Sequence, residues 1–292
     1  MSQEFFDMIE EKLTTASVTK KWTQKTVNFF ENFSYLNSEI LIEDQVEKLT
    51  HIGVNSIGQS GQLIQGITTE TLNMIDQQLK TIIKDVADLT IKFDSLDKVL
   101  KQKQGFFSSK KPSEAFFEMF QEEQKMIRQQ INELNLKEHD LYAVKENLEH
   151  NVEKLIDSYV LLDRDLHLLK SAEEKLSKSS NPLIVKIFNK YLFEITGIKT
   201  DLLTHQQIIF QKYAGLKILL KNVFNCHKNI KYISQVTHNV IMNIAELQQI
   251  ISLSQSTMSN KETDSLKKLK ETLTLATTDL KLIAAQPFNA YA

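Results

Sequence analysis

Cysteine, proline and glycine are scarce in this chain: one Cys, three Pro and seven Gly in 292 residues. The lone Cys226 excludes an internal disulfide and any zinc site built mainly from thiolates. It also fits a reducing compartment. So few prolines and glycines leave little to interrupt long helices, and they argue against a sheet protein with many turns. No run of 18 apolar residues occurs, which excludes a membrane-spanning helix. The opening MSQEFFDMIEEK carries acids where a secretory signal needs a basic start and a long apolar run. The expectation is a soluble, cytoplasmic protein. Charge is balanced, with 35 Lys and Arg against 37 Asp and Glu, so net charge gives no reason to expect nucleic acid as a partner.

What the chain has in quantity is helical periodicity. Residues 1–50 read as a helical segment with aromatics at Phe5, Phe6, Trp22, Phe29, Phe30 and Phe33. From Thr69 to about Gln104, apolar residues recur every three or four positions, from Leu72 through Phe93 to Leu100. Thr68 or Thr69 would cap that helix, and Glu70 sits where it meets the positive end of the helix dipole. The strongest pattern starts at Phe120 and steps alternately by four and three to Leu176, with 13 of 17 positions apolar. That is coiled-coil-like spacing, and an unbroken helix there would be roughly 95 Å long. The segment 132–140 is the place where a kink would fall, though nothing in it forces one. The turn 177–182 ends in Pro182, suited to a first helical turn, and residues 183–258 are again helical. Two long helices joined by a short turn should lie antiparallel. A last helix is expected over about 262–284, and 286–292 is read as a frayed tail. The fold class is therefore all-α: an elongated antiparallel bundle or coiled-coil hairpin of two long helices with shorter helices packed on it. The expected domains are an N-terminal segment 1–50, a glycine-rich joint 51–67, the bundle 68–285 and the tail.

Charge supports the hairpin. Residues 112–176 carry 15 acids and eight bases, whereas Leu202 to Ala245 has no acid and five lysines: Lys212, Lys217, Lys221, Lys228 and Lys231. These lysines either form an anion-facing surface or face the acidic helix opposite, as flanking charges do in coiled coils.

Four of the seven glycines fall in HIGVNSIGQSGQLIQGITTETL (51–72). Within it, 61–68 approaches the phosphate-loop pattern G-x-x-x-x-G-K-[ST], but Ile67 stands where the lysine must be. No buried strand precedes it, so nucleotide binding is not expected. The better reading is a flexible joint. No histidine pair has metal-ligand spacing. Glu146 and His150 lie four apart but off the apolar stripe, and Cys226 lies within it. No catalytic, cofactor or metal residues are nominated, and the chain reads as a non-enzyme. One loop mixes aromatics with lysines: Phe106, Phe107, Lys110, Lys111, Phe116 and Phe117. Such a mixture suits a membrane surface or a partner groove.

Three stretches carry a resemblance. NSIGQSGQ (55–62), the aromatic loop with its following helix (106–155), and TDLLTHQQIIFQKYAGLKILLKNVFNCHKNIKYISQVT (200–237) together resemble the toxic-anion-resistance (TelA) family of bacterial proteins linked to tellurite resistance. The resemblance covers about residues 44–285, and 1–43 stand outside it. It implies a helical, non-enzymatic protein acting in stress resistance through protein partners, self-association or a surface, and it transfers no catalytic residue. Direct binding of an oxyanion would need a cluster of donors. The alternative is a peripheral membrane-associated or self-assembling coiled-coil scaffold, docking through 106–120 or the N-terminal helix.

Overall fold

The computed structural model describes residues 2–14, 27, 30–31, 36, 38–103, 114–253 and 260–285. Among these there are seven α-helices and no strand. They are α1 (Ser2–Thr14), α2 (Glu39–Glu47), α3 (Val54–Gly66), α4 (Thr69–Lys103), α5 (Glu114–Ser177), α6 (Pro182–Leu253) and α7 (Asn260–Ala284), with a 3-10 turn at Lys48–His51 after α2. The all-α expectation holds.

Local chemistry explains where the helices start. The Ser38 hydroxyl accepts from the Leu41 amide at 3.3 Å and caps α2. Thr68 does the same for α4, accepting from Thr71 at 3.1 Å. Asn181 accepts from Leu183 at 3.0 Å at the head of α6, where Pro182 is the first helical residue. Each cap satisfies one amide that the first turn leaves without a partner. The 64 residues of α5 run through 132–140 without a break.

One expectation is corrected. The glycine-rich joint over 51–67 is a helix for most of its length, α3, entered at Gly53 and left at Ile67. The breaks are short, at Ile52–Gly53 before it and Ile67–Thr68 after it. Gly53 has φ +86, a backbone conformation that favours glycine, and a Cβ there would also press on the Leu202 side chain at 3.0 Å. The other glycines merely lower helix propensity, and contacts to the rest of the fold override them.

Contacts divide the chain into two compact units. Unit 1 comprises residues 1–71 and 148–217 and so holds α1, α2, α3, the later part of α5 and the earlier part of α6. Within it α5 and α6 run antiparallel, since Glu173 pairs with Lys199 and Asp163 accepts from Gln206 at 3.2 Å. α2 and α3 instead run parallel to α6. Glu39 meets Lys186, Glu43 meets Lys190, Ser60 meets His205 and Ile67 meets Lys212, so partner numbers rise together. α1 packs through Phe5, fully buried and ringed by Tyr159, Phe210 and Tyr213 with centroids 4.5–5.1 Å away. This part of α5 therefore buries more than its stripe. Ile156, Val160, Asp165, Leu168 and Ala172 are buried as well.

Unit 2 comprises 72–147 and 218–292, holding α4, the earlier part of α5, the later part of α6, and α7. It is a four-helix bundle of antiparallel neighbours. Asp85 of α4 binds Lys137 of α5. Gln124 of α5 reaches the Ile241 carbonyl of α6 at 3.5 Å. Asn243 of α6 donates to Thr272 of α7 at 2.9 Å, and Lys281 of α7 closes the ring on Asp94 of α4 at 2.9 Å. Buried leucine, isoleucine and phenylalanine from every helix fill its core, among them Leu89, Phe93, Leu134, Ile244 and Leu273.

Candidate functional site

A polar arrangement in unit 1 lies under α3. Its inward face presents Ser56 and Ser60, one turn apart. The Ser56 hydroxyl donates to Asp165 Oδ2 of α5, and the other oxygen of Asp165 takes two guanidinium hydrogen bonds from Arg164 at 3.1 and 3.2 Å. Ser60 Oγ lies 2.6 Å from His205 Nδ1 of α6 and donates to the Ile57 carbonyl at 2.8 Å. Below them, Lys212 Nζ donates to the Ile67 carbonyl at 2.8 Å, placing a cation at the negative end of α3. Serine, histidine and aspartate here are not a nucleophilic triad. Asp165 holds Ser56, not His205, and Ser60 is fully buried under its own helix. The arrangement fixes the register of α3 on α5 and α6, because a buried polar group must find its partner. From Ile57 onward the α3 amides are spent inside the helix, for example Ile57 N on Gly53 O at 2.8 Å and Ile67 N on Leu63 O at 3.2 Å. They cannot curl round a phosphate.

The lysine row divides. Lys212 holds Ile67, Lys217 pairs with Glu4 of α1 at 2.7 Å, and Lys231 faces Glu138 of α5 at 3.8 Å. His227 Nδ1 lies 3.1 Å from the same Glu138 oxygen. Lys221 and Lys228 are exposed. Lys231 thus meets the acidic helix as coiled-coil reasoning predicts, whereas Lys217 meets the N-terminal helix. The five do not form one shared anion-facing cluster.

Phe106, Phe107, Lys110 and Lys111 lie outside the described residues. Phe116 and Phe117 fall within α5, but their side chains are outside what is described. The other nominated docking element, α1, has Phe5 and Ile9 buried in unit 1, which leaves Phe6 as its half-exposed aromatic. Unit 2 has a groove of about 410 Å³ between α4 and α5, with Ile82 and Leu141 as floor and Gln77, Thr81 and Lys137 at the rim. Lys137 is already held by Asp85, so the rim offers no free cation. Among the described residues no three His, Cys, Asp or Glu side chains converge as a metal site, and no helix is long and apolar enough to cross a membrane.

Cys226 is buried in unit 2, and burial pushes its thiol up to about 12. Burial likewise raises Tyr159 and Tyr213 above the ordinary phenol value. These groups hold their protons in the folded chain after the unfolded chain has lost them. Stability is therefore complete below about pH 9 and falls as pH rises toward 12. Thermal melts between pH 8 and 11 should show that fall, and Cys226→Val should flatten it. An undiminished slope in the variant would remove the thiol from the explanation.

The residues missed by sequence reasoning are Ser56, Ser60, Asp165 and His205. The available signal was Asp165 in the leucine-rich stretch YVLLDRDLHLL, which also holds Asp163, and two serines four apart in the glycine segment. Comparison of the chain with family models, curated proteins and solved structures finds no match.

Proposed function

We propose that the chain is a non-enzymatic helical protein contributing to resistance against toxic anions of the tellurite kind, acting through contacts with other proteins or a surface. The toxic-anion-resistance role rests on the resemblance carried by 55–62, 106–155 and 200–237. What supports action through contacts, not through capture of the anion, is the engagement of the lysine row. An oxyanion needs several converging donors in one desolvated place. Lys212, Lys217 and Lys231 each already have a partner, on three different elements. Exposed single lysines such as Lys221 and Lys228 hold an anion only weakly, because water screens them.

Calorimetric titration with tellurite tests this reading. The expected result is no saturable heat. A saturable isotherm that disappears in the Lys221→Ala/Lys228→Ala double variant would replace it with direct anion binding. In parallel, expression in a tellurite-sensitive bacterial host should raise tolerance, and unchanged tolerance would sink the resistance role itself.

A further inference from the structure

We propose that α3 is a releasable helix, able to undock from α5 and α6 between fixed points at Gly53 and Ile67 while the rest of unit 1 stays folded. The inference stands apart from the toxic-anion reading.

The first observation is what α3 buries. Its buried residues are Ser56 and Ser60. Ile57, Leu63 and Ile64 are half-buried, and Val54 is 54 % exposed. Apolar burial is the main force holding a helix to its neighbours, and no apolar side chain of α3 is fully buried. The chain on either side is anchored differently. Ile42, Val46 and Leu49 are fully buried before it, and Ile67 is buried after it with its carbonyl on Lys212. A segment with few buried apolar contacts between two anchored ends is where local opening concentrates.

The second observation is the glycines. Gly53 is demanded by its φ. Gly58 and Gly66 are not demanded by anything: a Cβ at either would meet no atom within 4 Å. At Gly61 it would meet His205 Cε1 at 3.7 Å, an ordinary contact. Three glycines therefore weaken a 13-residue helix without any packing requirement. A helix of that length is marginal alone even with good helix formers.

The third observation is the kind of bond that docks it. Ser56 to Asp165 and Ser60 to His205 are polar contacts whose partners water can satisfy once α3 leaves, so their net hold is modest. They set the register of the closed state without making it deep. Release would bare Asp165 of α5 and His205 of α6.

Hydrogen exchange on the full chain, read by mass spectrometry under native conditions, tests the proposal. Amides of 57–66 should exchange well before those of 155–169 in α5. Gly58→Ala should slow exchange in 57–66 by about two- to fivefold and leave 155–169 unchanged. Ser60→Ala should speed exchange in 57–66 by up to about tenfold. The proposal is overturned if 57–66 exchanges in step with 155–169 in the wild type, or if Gly58→Ala slows both sets equally.

Discussion

Replacing Phe5 by alanine is expected to lower stability by about 3–5 kcal/mol, the usual loss for a buried phenylalanine cut back to a methyl group. Phe5 is fully buried, and three aromatic rings of α5 and α6 close round it: Tyr159 edge-on at 5.0 Å, Phe210 at 5.1 Å and Tyr213 at 4.5 Å. Removal leaves a cavity that rigid neighbouring rings cannot fill, so the lost transfer energy and the cavity penalty add. Phe6, next in the chain, is 48 % exposed and touches Phe210 with stacked rings at 6.0 Å. Phe6→Ala should therefore cost about 1 kcal/mol at most. Urea unfolding followed by circular dichroism compares the two. Equal midpoints would mean that α1 is not part of the unit 1 core. The outcome matters because the sequence alone reads residues 1–50 as a segment standing before the bundle.

The second large effect is in unit 2 and uses neighbours again. Leu134 is fully buried in the α5 stripe, and Leu136, two residues on, is 70 % exposed. Leu134→Ala should cost about 2–5 kcal/mol, whereas Leu136→Ala should stay within about 0.5 kcal/mol. The same chemistry is removed in both, so the difference measures burial alone. A heptad stripe displaced by one helical step would reverse the result, and the urea midpoints would show it.

Much of this architecture is legible in residue order. The spacing of Ile127, Ile131, Leu134, Leu141 and Leu148 marks the buried stripe of α5, and all five are buried. A helix has one period, so which side chains share its face follows from their numbers. Thr68 and Pro182 mark helix starts because capping is a local bond between near neighbours. Scarce glycine and proline allowed helices of 64 and 72 residues.

The candidate site was legible only in part. Lys231 facing Glu138 follows from charge patterning along two antiparallel helices. Lys217 facing Glu4 does not, because that pair joins residues 213 apart and depends on where α1 docks. The glycine segment shows the same limit. Its composition predicts a joint, since glycine weakens any helix. That helix nevertheless forms, and its two buried serines meet Asp165 and His205, more than a hundred residues away.

The sequence by itself therefore determined the long helices, the starts of α4 and α6 and the buried stripe of α5, since these depend on residues within a few turns of one another. Only the tertiary structure decided that α1 completes a core and that α3 is a helix lying on a polar bed. Both depend on which distant surfaces meet, and a single helix's periodicity says which face is apolar without saying what will cover it.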